Sequence, residues 1–144
     1  MSDDGKRIDF YILEAPGDEA RARFACRLSE KAFGLSNRVH ALTTDPAGAA
    51  RLDDLMWTYR AGSFLPHALA DGGEDRDSPI TIGCDAADCA GELLINLTDE
   101  VPACFEQFER VAEIVDASED GRSRGRRRFS FYRDNGYQPN THRI

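Results

Sequence analysis

Arg7-Ile8-Asp9-Phe10-Tyr11-Ile12-Leu13, then Glu14-Ala15-Pro16-Gly17, then a run from Asp18 to Leu35, is the stretch that decides the fold. The first seven residues are rich in β-branched and aromatic side chains and read as a strand. Pro16-Gly17 breaks it. Beyond the break, Phe24, Leu28 and Leu35 fall on one face at helical spacing, with Ala20 and Ala32 nearby, so a helix is predicted over 18–35. The same alternation recurs. Arg38-Val39-His40-Ala41-Leu42 reads as a second strand. Asp45 then has the character of an N-cap with Pro46 at the first helical position. Leu52, Leu55, Met56 and Tyr59 follow at i, i+3, i+4 and i+7, and a second helix runs to about Thr58.

Working outward, Phe64-Leu65-Pro66-His67 is extended, because the residue before a proline avoids the helical region. Asp71 to Ser78 is polar, contains glycine and reads as a mobile loop. Ile80-Thr81-Ile82 and Leu93-Leu94-Ile95-Asn96-Leu97 are short apolar runs of the kind buried strands show. Cys104, Phe105 and Phe108 predict a short helix. Val111 to Val115 fits either a final strand or a continuation of that helix. Ser118, followed by Glu119 and Asp120, starts a last helix that runs to about Asn135, where Gly136 ends it. Strands alternating with helices predict an α/β fold: one domain over 1–144, its sheet mostly parallel and flanked by helices on both faces. No internal repeat or low-complexity tract interrupts it.

Composition narrows the function. Of 144 residues, 41% are hydrophobic, enough for a core, and 31% are charged, which gives a strongly solvated surface. No apolar run approaches the roughly 20 residues of a membrane-spanning helix, and the acidic start Met1-Ser2-Asp3-Asp4-Gly5 is not a secretory signal. A cytoplasmic protein that does not engage a membrane is expected. Cys26, Cys84, Cys89 and Cys104 are then reduced thiols. Cys84 and Cys89, with Asp85 and Asp88, offer only a loose C-x4-C set with no second pair and no adjacent histidine, so no metal is expected.

The net charge of −8 is unevenly placed. Gly121 to Ile144 carries seven arginines against Asp134 alone, a net +6 that leaves −14 for residues 1–120. An acidic body repels a nucleic-acid backbone, so direct nucleic-acid binding is not expected. A local patch suits a short acidic peptide, and arginine supplies a planar fork for carboxylates. Most of the carboxylates are scattered and read as solubilising surface groups.

Catalytic signatures are missing. Glu14-Ala15-Pro16-Gly17-Asp18 matches neither GxGxxG nor GxxxxGK[ST], and an acid there would repel phosphate; Thr43-Thr44-Asp45-Pro46 is no better. There is no GxSxG elbow and no HExxH. His67, with Asp53 or Cys84 in reach, and the 71–78 loop form the one alternative, an enzyme of unrecognised type. Two constellations remain. Leu55 to His67 holds Trp57, which lies off the apolar stripe of its helix, with Tyr59, Phe64 and Pro66; this is either core or a docking patch. Arg122, Arg126, Phe129 and Arg133, at i, i+4, i+7 and i+11, share a helix face: a solvated basic face, or a seat for a peptide with an apolar end and a carboxylate.

Arg51-Leu52-Asp53-Asp54-Leu55-Met56-Trp57, Ser63-Phe64-Leu65-Pro66-His67 and Phe131-Tyr132-Arg133-Asp134-Asn135-Gly136-Tyr137 together resemble the chi subunit of the bacterial DNA polymerase III holoenzyme. Phe10 to Leu13 and Glu113 to Asp116 fit the same family, and the match runs in order along nearly the whole chain. The resemblance implies a Rossmann-like fold without a nucleotide site, and a replisome adaptor that is not an enzyme and needs no cofactor. The implied partners are the psi subunit of the clamp-loader complex and the acidic C-terminal tail of single-stranded DNA-binding protein. Trp57, Phe64 and Pro66 would face psi. The tail pocket, with a family pattern of basic, aromatic, then usually lysine, would fall on Arg126, Phe129 and Ser130, flanked by Arg122 and Arg133. Ser130 departs from that pattern. Either Arg127 or Arg133 supplies the missing cation, or the tail is held more weakly.

Overall fold

A computed structural model describes residues 6–59, 65–70, 78–85 and 90–144. Strand β1, Arg7–Ile12, leads into helix α1, Asp18–Gly34; strand β2, Val39–Leu42, leads into α2, Pro46–Thr58. Three strands follow: β3, His67–Leu69, β4, Ile80–Gly83, and β5, Leu93–Asn96. A 3-10 turn, Ala103–Gln107, precedes β6, Arg110–Val115; helix α3, Glu119–Asp134, and strand β7, Asn140–Arg143, complete the order. The strands form one sheet in the order β3-β4-β2-β5-β6-β1-β7. Every pairing in it is parallel.

Local chemistry sets the boundaries much as expected. The Asp45 carboxylate accepts from the Gly48 amide at 2.7 Å, capping α2 behind Pro46. The Ser118 hydroxyl accepts from the Gly121 amide at 2.9 Å and starts α3. Gly136, with φ of 91°, ends it: the Tyr137 amide turns back to the Tyr132 carbonyl at 3.0 Å, a reversal that favours glycine.

Helices cover both faces. On one face α1 and α2 pack over Val39, Ala41, Ile80, Ile82, Ile95 and Ile114. On the other, α3 and the 3-10 turn pack over Ile8, Phe10, Leu94, Val111 and Val115 through Phe105, Phe108 and Tyr132. Helix α3 comes exceptionally close to β6. A Cβ on Gly125 would meet Val115 Cγ2 at 2.8 Å, and one on Gly121 would meet Asp116 Oδ1 at 1.9 Å. The two missing side chains let the helix settle against the strand.

Two expectations need correction. Val111–Val115 is neither the last strand nor a helix: it lies inside the sheet, between β1 and β5. The final strand is β7, a polar segment that pairs with β1. Three carboxylates, Asp9, Glu113 and Asp116, are exceptions to the surface pattern and are buried. Each has donors. Asp116 accepts from the Gly17 amide at 2.7 Å, while Glu113 is the acceptor at the centre of a buried polar cluster described below.

Candidate functional site

Helix α3 presents two neighbouring stripes with the same spacing. Gly121, Gly125, Arg128 and Tyr132 face the sheet and are buried. Arg128 Nε donates to Glu113 Oε1 at 2.7 Å, and the Tyr132 hydroxyl donates to Glu113 Oε2 at 2.7 Å. The Asn96 amide adds donors at 3.1 and 3.0 Å. Burial pushes the Glu113 carboxyl up, while Arg128, Tyr132 and Asn96 pull against it. Arg128, counted with the basic patch from sequence, is therefore a structural cation inside the fold. Arg124 is also engaged, 3.7 Å from Asp99.

The second stripe, one residue further round, is the one predicted to bind. Phe129 packs edge-on against Phe10, ring centroids 5.2 Å apart, and Arg133 lies 6.0 Å above its ring. Beside it runs a groove of about 180 Å³ floored by Phe10, Ile12 and Val115. Arg122, Arg126 and Phe129 form its α3 wall. The sequence reading put Arg122, Arg126, Phe129 and Arg133 on one helix face; Arg133 is not among the lining residues, and the helix supplies only one wall of the groove. The other is β7, through Thr141 and Arg143. Exposed Ser130 and Arg127 are not among the lining residues.

Strand β7 is fastened from its other side. Asp9, buried beneath it, accepts from His142 Nε2 at 2.9 Å and from Asn140 Nδ2 at 3.3 Å. Arg7 Nε lies 2.9 Å from the same carboxylate, and the His142 ring stacks on Tyr11 at 5.0 Å.

At the opposite sheet edge, Trp57 is 55% exposed, as expected of a side chain off the buried stripe of α2. Its ring sits 4.6 Å from that of His67, the first residue of edge strand β3. The His67 ring is fully buried, with Nε2 3.3 Å from Asp53. Pro66 is half-buried. Phe64 lies outside the described residues, as do residues 71–77, Asp88 and Cys89. His67 is accounted for by packing under Trp57 and by Asp53, and it lines neither groove.

A second groove, of about 800 Å³, opens at the carboxyl ends of the strands, where open α/β sheets hold ligands. Its rim is acidic: Asp18, Glu19, Asp45, Asp54 and Asp99. Arg51 and Arg124 counter this only in part, and buried Arg21 turns its guanidinium to the Ile114 and Thr98 carbonyls. Such a rim repels phosphate. Among the described residues no group of three or more metal-ligating side chains comes together. No helix among them is long and apolar enough to cross a membrane.

Fold and site define an open, all-parallel α/β protein with an acidic crevice at the strand ends. The fold is shared with longer chains. It superimposes on T4 UvsW with a TM-score of 0.67 at 10% identity, covering 96% of this chain and 42% of that one. On a variant of S. cerevisiae dbp5 the values are 0.65 and 8%, with 98% and 42% covered. The family model described as DNA polymerase III chi subunit, HolC, matches residues 6–140. The DNA polymerase III subunit chi of Pseudomonas aeruginosa is 38% identical, with 96% of both chains covered. That of Escherichia coli is 27% identical over 94% of this chain and 97% of the relative. The chain belongs to the DNA polymerase III chi subunit family, the non-catalytic accessory subunits of that polymerase. This family membership removes the alternative of an enzyme sited at His67.

Proposed function

We propose that the chain is a cytoplasmic replisome adaptor, joining the clamp loader through a psi subunit to the acidic C-terminal tail of single-stranded DNA-binding protein. One observation carries this reading: the two candidate docking surfaces stand at opposite edges of one sheet. Trp57 lies over His67 at the start of β3, and the Phe129 groove lies against β7. Six strand spacings of about 4.8 Å separate those edges, roughly 29 Å. Two partners can therefore be held at once without sharing a contact.

Chemistry supports this choice of partners. An exposed tryptophan backed by a buried histidine suits an apolar anchor from psi, with half-buried Pro66 nearby in sequence and Phe64 retained from the sequence reading as the third residue of the set. A groove with an aromatic floor and arginine walls suits an acidic tail that ends in an apolar residue. Arg122, Arg126 and Arg133 surround Phe129 for that purpose.

The test is a titration of the tail peptide of single-stranded DNA-binding protein into the purified chain, alone and saturated with psi. Equal affinity in both is expected, weakening as salt rises, since exposed ion pairs contribute about 1 kcal/mol or less each. Arg126→Ala should lower the affinity several-fold. Displacement of psi by the peptide, or an unchanged affinity in Arg126→Ala, would refute the assignment.

A further inference from the structure

We infer that His67 is the positioning residue for Trp57 and that it works as an imidazolium, its two ring nitrogens held by the Leu65 carbonyl and the Asp53 carboxylate. The consequence for docking rests on the reading of Trp57 as the anchor for psi; the protonation and the positioning do not.

Donors and acceptors around the ring set its charge. The Leu65 carbonyl can only accept, so Nδ1, within hydrogen-bond distance of it, carries a proton and donates. In a neutral imidazole Nε2 would then present a bare lone pair. Asp53 Oδ1 lies 3.3 Å from that nitrogen, and the two side chains are 0% and 22% exposed. A lone pair set against a carboxylate out of water is repelled; a second proton turns the same contact into an ion pair. Nε2 makes no aligned hydrogen bond among the described residues, so the carboxylate decides its state. The elements packed here bring no competing charge among those residues. Strand β4, Ile80–Gly83, which pairs with β3, has no titratable side chain, and the buried stripe of α2 is Ala49, Leu52 and Met56. Arg51 and Asp54 line the acidic crevice instead.

Asp53 and Trp57 stand one turn apart on α2, so the acid that charges the ring and the indole that rests on it share a helix face. The two rings are 4.6 Å apart between centroids and tilted by 59°. Tryptophan is the aromatic side chain best suited to a cation. Asp53 thus fixes the imidazolium from α2, and the imidazolium holds in one orientation an indole that is 55% exposed. Loss of the proton reverses both contacts: the Asp53 oxygen faces a lone pair, and the indole loses its cation. A partner must then order the anchor as it docks, which lowers affinity.

Trp57 is the chain's one tryptophan, so emission from the full chain alone reports this contact. An imidazolium quenches indole emission far more than a neutral imidazole does. The other two histidines, His40 and His142, are engaged by Thr81 and Asp9. Over about pH 5 to 8, where histidine changes charge, wild-type emission should rise with pH. His67→Phe, which keeps a ring beneath the indole but takes no proton, should be bright and flat. Asp53→Asn, whose amide can donate to a bare Nε2, should be bright at a pH where the wild type is still quenched. In the same buffers psi affinity should fall by about fivefold across the range for wild type, and the fall should be absent from His67→Phe. Flat wild-type emission, or an Asp53→Asn profile that matches it, would overturn the imidazolium; an equal fall in affinity for His67→Phe would reduce His67 to packing. If emission behaves as expected while Trp57→Ala binds psi as tightly as wild type, the positioning stands and the docking surface is wrong.

Discussion

Replacing Arg128 by methionine keeps most of its length and removes only the charged head, which makes it a sharp test of the inner stripe of α3. Arg128 and Glu113 are 3% and 0% exposed and 2.7 Å apart, so solvent screens neither. Removing one partner of such a pair costs about 3–5 kcal/mol, because the other charge is left buried. Tyr132 and Asn96 would still donate to Glu113, which places the expected loss at the lower end. With a urea m-value of about 1–3 kcal/mol/M, the unfolding midpoint should fall by roughly 2 M. Adding Glu113→Gln removes the stranded charge but keeps an acceptor for both donors, so the double variant should recover at least half of the loss. A pH dependence follows. Without Arg128 the Glu113 carboxyl titrates still higher when folded than when unfolded; the penalty is full above the folded pKa and is relieved as pH falls through it. Arg128→Met should therefore recover relative to wild type on acidification. A loss below about 1 kcal/mol, or one that Glu113→Gln leaves unrepaired, would refute the buried-pair account.

Gly125→Ala should lower the melting temperature: the added Cβ meets Val115 at 2.8 and 3.0 Å, and overpacking of about 1–3 kcal/mol exceeds the roughly 1 kcal/mol that alanine contributes to a helix. For Asp116, burial alone would raise the carboxyl, but the Gly17 amide, the Ser118 hydroxyl and amide, and Arg21 together hold it below its ordinary value. Its stabilisation is therefore present above the unfolded pKa and lost as pH falls through the folded one; urea midpoints of Asp116→Asn should converge on wild type at low pH, and a gap that persists there would be contrary. Trp57→Ala should leave the urea midpoint nearly unchanged yet weaken psi binding, by calorimetry, by about 2 kcal/mol, as loss of an exposed anchor should.

What could be read from sequence follows from which interactions are local. The β1–α1 and β2–α2 units were legible because their signals lie within a few residues: an apolar run, a breaker, a cap and a helical stripe. Val111–Val115 was ambiguous because a strand buried on both faces loses its alternation and looks like a buried helical turn. Asn140–Arg143 showed no strand signal at all. It has no apolar residue, and its anchor is Asp9, more than 130 positions earlier. The two stripes of α3 present the subtlest case. Gly121-Gly125-Arg128-Tyr132 and Arg122-Arg126-Phe129-Arg133 have identical spacing, and each contains arginine and an aromatic. The paired glycines were the available sign that the first faces the sheet, since a helix gives up two side chains only where something comes close.

That arrangement ties stability to docking. The proposed adaptor role requires two surfaces held in fixed relation, and a groove made by a helix and an edge strand is only as well defined as their distance. Here α3 is set against β6 by two glycines and the Arg128–Glu113 pair, while β7 is set against β1 by its backbone ladder and Asp9. Strands β6 and β1 are themselves neighbours, paired over six residues. The groove thus spans one rigid strand pair, and its two walls are fastened by buried carboxylates on opposite sides of the sheet. Glu113 faces α3 and Asp9 faces away from it. Both acids are engaged inside the fold: Glu113 by Arg128, Tyr132 and Asn96, and Asp9 by Arg7, Asn140 and His142.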